Sequence, residues 1–77
     1  MSKKTKKIFI TGGAGYAGTR YVPQLLASGN QVTIFDTFYF GDYLENHKNL
    51  NKIKGDIRDT NLIEKSCRDH DIFIHLA

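Results

Sequence analysis

The sequence predicts an α/β fold, the first half of a doubly wound parallel sheet with strands in the order 3-2-1-4, and three observations lead there. A short apolar run, Ile8-Phe9-Ile10, leads into Thr11-Gly12-Gly13-Ala14-Gly15-Tyr16-Ala17-Gly18, in which Gly12, Gly15 and Gly18 stand three apart. Strand-like apolar runs then alternate with helix-like stretches, a pattern that favours parallel strands joined by right-handed crossovers. Finally, Asp36 closes the second strand-like run 24 positions after Gly12, close to the offset of about 20 at which a carboxylate meets a ribose in dinucleotide-binding units.

Each element follows from local chemistry. Residues 7–11 are short, apolar and β-favouring, and end at glycine, so they read as a buried strand. Residues 15–28 read as a helix in which Ala17, Tyr21, Val22, Leu25 and Leu26 share one stripe, with Gly29 placed for a left-handed cap. Pro23 interrupts that pattern and predicts a kink or a displaced bond at the carbonyl of Thr19. Residues 31–36 form the second strand; 37–50 are irregular, with one helical turn expected near Tyr43 to His47; 51–55 form a weaker third strand ending at Gly55. Residues 60–69 read as a second helix, capped by Asp59 and facing inward through Leu62, Ile63, Ser66 and Cys67. Residues 71–76 form a fourth strand, expected to be buried. The winding reverses between strands 1 and 4, and the ligand cleft is expected above them.

The glycines have separable roles. Gly12 permits the tight turn, Gly15 removes a side chain where a pyrophosphate approaches the backbone, and Gly18 lets the helix pack closely on the sheet. Amides of Tyr16 and Ala17 then face the phosphates at a helix N-terminus, where the dipole favours negative charge. A P-loop is excluded, because Thr19 and Arg20 follow Gly18 and no Gly-Lys-Ser/Thr step occurs. Asp36 would accept both hydroxyls of the adenosine ribose and repel a 2′-phosphate. Thr37, Phe38 and Tyr39 follow it, with no arginine to welcome that phosphate, so NAD is expected over NADP. Asp56 would take the exocyclic amine of adenine and Ile57 would wall it; the alternative is a loop aspartate bonding its own local backbone. Leu76 and Ala77, ending the fourth strand, would let the middle of the cofactor pass. Phe38, Tyr39, Phe40 and Tyr43 read as a loop packed over the sheet edge, with a substrate or partner contact as the alternative.

Composition bounds the rest. A chain of 77 residues is at most one small domain with a marginal core. The net charge is +3, but Lys3, Lys4, Lys6 and Lys7 supply it; without them seven basic residues face eight acidic ones. The basicity is a tail over residues 1–6, not a face, and no nucleic-acid partner is expected. A single cysteine forbids an intrachain disulfide, and the dispersed His47, His70 and His75 offer no metal spacing. His75 is read as a packed strand histidine and Cys67 as a small core residue. The apolar run after the lysines is too short for a signal peptide, and no stretch has a membrane helix's length, so a cytoplasmic setting is expected.

Four blocks in order, Thr-Gly-Gly-Ala-Gly-Tyr-Ala-Gly (11–18), Asp36, Lys-Gly-Asp-Ile-Arg-Asp (54–59) and Asp-Ile-Phe-Ile-His-Leu-Ala (71–77), carry a resemblance. The chain resembles the N-terminal part of the extended short-chain dehydrogenase/reductase family, in the NAD-dependent epimerase/dehydratase branch typified by UDP-glucose 4-epimerase and the nucleotide-sugar dehydratases. Pro23 is similar to what that family often carries in its first helix. The resemblance implies a Rossmann domain that is partial here, over residues 7–77, in a family whose members run to about 300 residues. It implies NAD as cofactor, a nucleotide-sugar substrate, hydride transfer to and from a sugar hydroxyl, and in many relatives a homodimer. The family's Tyr-x-x-x-Lys pair does not occur: Tyr16 is followed four on by Arg20, Tyr21 by Leu25, Tyr39 by Tyr43 and Tyr43 by His47. The 77 residues alone are therefore expected to be inactive, and unstable or self-associating through an open strand edge. Two other readings share the motif: a non-catalytic nucleotide-binding or sheet-completing module, and a redox-sensing regulator.

Overall fold

The alternating pattern folds, in the computed structural model, as β1 (Lys7–Thr11), α1 (Tyr16–Ala27), β2 (Gln31–Asp36), β3 (Leu50–Lys54), α2 (Thr60–Ser66) and β4 (Ile72–His75). The structure describes residues 5–12, 14–38, 41 and 44–76, without the side chains of Tyr16 and Ala17. One parallel sheet has the order β3-β2-β1-β4, as the crossover argument predicts. Its register sets Thr11 opposite both Phe35 and His75, and Asp36 opposite Lys54. All four strands therefore end on one edge, where the glycine loop begins.

Strand alternation gives the sheet two faces. On one, Ile8, Ile10, Val32 and Ile34 pack with Val22 and Leu26 of α1, and with Ala14 and Leu44. On the other, Phe9 and Phe35 are fully buried, Phe73 stacks on Phe9 at 5.4 Å between ring centroids, and His70 meets Phe9 edge-on. Each apolar side chain fully buried there stabilises the fold by about 1.5–3 kcal/mol.

α1 ends where Gly29 predicts. Gly29 has φ 88°, its amide bonds the Leu26 carbonyl at 2.9 Å, and the Asn30 amide bonds the Leu25 carbonyl at 3.2 Å. This pair of bonds is a Schellman cap. Pro23 lies inside α1 without ending it and on its exposed side, where water can hydrate the carbonyl that lacks an amide partner. Tyr21 departs from the expected stripe: it is 58% exposed, and Val22 and Leu26 do the packing.

Five further expectations are corrected. β3 begins one residue early because Leu50 packs against the core, leaving Gly55 to open the following loop. α2 stops at Ser66 and not at residue 69, although Asp59 caps it as expected by accepting the Leu62 amide at 3.1 Å. The chain there turns through Asp69 at φ 64°, which delivers the His70 ring to the Thr33 hydroxyl at 2.8 Å and the Asp71 amide to the Lys7 carbonyl at 2.7 Å. The inward residues of α2 are only half-buried, and Cys67 is a helix cap, not a core residue. β4 is largely exposed, His75 included, because it is an edge strand of the described sheet, and Phe73, stacked on Phe9, is still 51% exposed. Residues 44–47 form no helical turn; Tyr43, Tyr39 and Phe40 lie outside the described residues. Leu44 instead anchors this loop in the core, and the Lys52 ammonium donates to its carbonyl at 2.7 Å.

Candidate functional site

The glycine loop starts at Thr11, which is buried at the end of β1. Gly12 takes φ 76°, a left-handed conformation that favours glycine, while its amide still bonds the Phe35 carbonyl at 2.8 Å. The chain can thus leave the sheet sharply without abandoning the ladder. The Gly15 amide closes the turn on the Gly12 carbonyl at 3.2 Å, and Gly15 becomes the extended N-cap of α1.

Gly15 is informative because its own fold does not need it. A Cβ there would meet only the Gly12 oxygen at 3.4 Å, an ordinary contact, and its φ of −76° suits any residue. What the missing side chain provides is open space over a helix start. The helix geometry leaves the first-turn amides of Tyr16, Ala17 and Gly18 without intrahelical acceptors; the ladder begins with the Thr19 amide on the Gly15 carbonyl at 3.0 Å. No side-chain cap and no acidic residue occupies this first turn, so an anion would meet no competitor. Gly18 is buried on the side of α1 toward the sheet.

Asp36 does more than end β2. Its Oδ2 accepts the Ala14 amide at 3.2 Å and its Oδ1 accepts the Phe38 amide at 2.8 Å. The carboxylate therefore ties the glycine loop to the loop after β2, and holds Phe38 at φ 55° against the core. A carboxylate has about four acceptor sites, so two remain for a ligand.

β3 ends in a second loop beside it. The Gly55 amide bonds the Asp36 carbonyl at 2.9 Å. A Cβ at Gly55 would overlap the Phe35 ring, with Cε2 at 2.8 Å, and crowd Leu62 Cδ2 at 3.1 Å, so only glycine fits. Asp56 follows, and its carboxylate is held by Arg58 through the backbone amide at 2.8 Å and through a two-pronged ion pair, Nη2 to Oδ2 at 2.7 Å and Nε to Oδ1 at 3.1 Å. The side-chain bonds from Arg58, then its backbone amide, hold the Asp56 carboxyl down to about 2. Ile57 is 41% exposed beside it. On the far side of the glycine loop, the Leu76 amide bonds the Thr11 carbonyl at 2.9 Å, and Ala77 lies outside the described residues.

Gly12, Gly15, Asp36, Asp56, Ile57 and Leu76 therefore share the C-terminal edge of the sheet, linked by the bonds just given. Arg58, signalled by its Asp-x-Arg spacing, is a site residue that the sequence did not single out. His75, expected as a packed strand histidine, is instead exposed with its Nδ1 2.6 Å from Thr11 Oγ1, opposite it in register. Two cavities lie away from this edge, one of about 430 Å³ between α1 and residues 44–50, and one of about 520 Å³ at the opposite ends of β2 and β3. Among the described residues no group of His, Cys, Asp and Glu could hold a metal ion, and no helix is long and apolar enough to cross a membrane.

Known proteins share this arrangement. A family model for the 3-beta hydroxysteroid dehydrogenase/isomerase family matches residues 9–77. The chain is 37% identical over 73 residues to a UDP-glucose 4-epimerase of Lactobacillus helveticus, covering 92% of this chain and 22% of that protein. It is 34% identical to a dTDP-glucose 4,6-dehydratase of Streptomyces niveus, covering 92% of this chain and 25% of that one. The crystal structure of the Bordetella bronchiseptica enzyme WbmH in complex with NAD+ superposes with a TM-score of 0.87 at 35% identity, over 96% of this chain and 26% of that one. The chain spans about a quarter of the length of these relatives. The sheet order, the glycine loop and these matches agree with the epimerase/dehydratase resemblance, and the chain belongs to the 3-beta hydroxysteroid dehydrogenase/isomerase family.

Proposed function

We propose that this chain binds NAD along the C-terminal edge of its sheet, and that the whole protein is an NAD-dependent epimerase or dehydratase acting on a nucleotide sugar. The observation that carries the reading is the Asp36 carboxylate bonded to the Ala14 amide, because it makes a ribose acceptor and a phosphate loop one unit. The residues fit the group: Gly15 leaves space that a Cβ would fill, the first turn of α1 holds no competing acid, and Asp36 keeps acceptor sites for ribose hydroxyls. Amides of Tyr16 and Ala17 would face the pyrophosphate, Gly18 would let α1 sit close to the sheet, Asp56 and Ile57 would take the adenine, and Leu76 and Ala77 would flank the middle of the cofactor. Bound NAD supplies a hydride acceptor for a sugar hydroxyl and a hydride donor for its return.

NAD is favoured over NADP because the Asp36 charge repels a 2′-phosphate. The cation nearest in register, Lys54, is solvent-exposed and exerts a screened attraction. The names of the relatives support a UDP- or dTDP-linked sugar. No tyrosine in these 77 residues has a lysine four positions on, so the groups that touch the sugar are assigned to the rest of the protein. A single unpaired thiol, Cys67, suits the reducing cytoplasm in which we place it.

Gly15→Ala in the full-length protein tests this reading. The Cβ meets only an ordinary contact, and the poor N-cap propensity of alanine is offset by the lost freedom of the unfolded chain, so the thermal midpoint should change little, while NAD affinity falls by tenfold or more, about 1.4 kcal/mol, in a calorimetric titration. Unchanged affinity would show that nothing approaches the loop.

A further inference from the structure

Arg58 is the residue that the reading above leaves without a task. Its guanidinium reaches Asp56 by three contacts, Nε to Oδ1 at 3.1 Å, Nε to Oδ2 at 3.2 Å and Nη2 to Oδ2 at 2.7 Å, and its own backbone amide donates to Oδ1 at 2.8 Å. Each carboxylate oxygen has two acceptor sites. Arg58 presents three N–H groups to these four sites: its amide on Oδ1 at 2.8 Å, Nη2 on Oδ2 at 2.7 Å, and Nε shared almost equally between the two oxygens at 3.1 and 3.2 Å. One acceptor site of the carboxylate stays open. The turn that carries both residues is itself closed by the Asp59 amide on the Asp56 carbonyl at 2.9 Å. It joins the Asp36 end of β2 through the Gly55 amide.

We propose that Arg58 is a positioning residue for base recognition, fixing Asp56 so that the carboxylate's one open acceptor site faces the exocyclic amine of adenine. The inference rests on the reading that NAD binds at this edge. The physical reason is entropic. An aspartate on an exposed loop samples several rotamers, and ordering it on binding subtracts from affinity. A planar guanidinium with two prongs on one carboxylate orders it beforehand, which a lysine ammonium, a single point charge, cannot do. The Arg58 side chain is 88% exposed, so its contact with Asp56 adds little to stability, and its value lies in orientation. If Arg58 instead competed with the base for Asp56, removing it would free the acceptor and the sign of the effect would reverse.

The test compares NAD with nicotinamide hypoxanthine dinucleotide, in which a carbonyl replaces the amine. Both are titrated calorimetrically into the full-length wild type, Arg58→Ala and Arg58→Lys, with a thermal melt of each to confirm folding. The wild type should prefer NAD by about tenfold, the size of one hydrogen bond to a charged group. Arg58→Ala should cut that preference to about twofold by weakening NAD while leaving the hypoxanthine analogue nearly unchanged, and Arg58→Lys should fall between. Equal weakening of both dinucleotides, or a preference that stays or grows in Arg58→Ala, overturns the positioning role while leaving NAD binding intact. Failure of the wild type to bind either dinucleotide overturns the underlying reading and the inference with it.

Discussion

Asp36, at the end of β2, and Asp56, two residues past the end of neighbouring β3, are held in opposite ways. Asp36 is half-buried and satisfied by two backbone amides, those of Ala14 and Phe38, on either side of it. Asp56 is satisfied by one residue two positions on, whose guanidinium stands in solvent. The first arrangement is built from long-range backbone geometry and changes only if the fold changes. The second is local, electrostatic and open to salt. The comparison teaches that one edge of a small sheet can carry a fixed acceptor and an adjustable one, with Gly55 as the hinge piece between them.

The largest effect should come from that hinge. Gly55→Ala drives a Cβ into the Phe35 ring, which is fully buried and cannot yield without moving β2. Overpacking of this kind costs about 1–3 kcal/mol, read as a lowered denaturant midpoint, and it should disturb both aspartates together. An unchanged midpoint would mean that the two loops are independent.

A smaller effect separates them. Asp56 has its carboxyl lowered from 3.8 to about 2 by Arg58. A depressed folded value means that the pair's contribution is fully present above the ordinary carboxylate range and is lost as pH falls from about 4 toward 2. The exposed pair is also screened by salt. Asp56→Asn should therefore leave the neutral-pH melting temperature nearly unchanged. It should remove part of the stability change between pH 4 and pH 2 at low ionic strength, and little of it in 1 M salt. An acid profile identical to wild type would remove the electrostatic half of the comparison.

The same contrast explains what the sequence made legible. Strands β1 and β2, the Asp59 cap and the Gly29 cap were readable because their signals are local: apolar runs, a capping carboxylate, a glycine one turn after the last packed residue. The sheet order followed from the doubly wound pattern that the glycine loop and the alternating elements announce, with right-handed crossovers. Exposure was not readable in the same way. Phe73 and Tyr21 look like core residues in sequence, and whether they are covered depends on what lies across from them. The early end of α2 was hidden because the turn at Asp69 is set by His70 reaching Thr33, a contact 37 positions apart. At the site, Gly15 and Asp36 announced themselves by spacing. The bond from Ala14 to Asp36 and the crowding that demands glycine at 55 belong to the tertiary fold.

The central claim is that the Asp36 carboxylate, fixed to the glycine loop, is what selects the dinucleotide. The most direct measurement is the pair of dissociation constants for NAD and NADP, by calorimetry, in the full-length wild type and in Asp36→Asn. The account predicts that the wild type prefers NAD by at least about tenfold, 1.4 kcal/mol, and that the neutral amide narrows the gap by weakening NAD and relieving the repulsion of the 2′-phosphate. A wild type that binds NADP as tightly as NAD, or a preference that survives the loss of the charge, would contradict it.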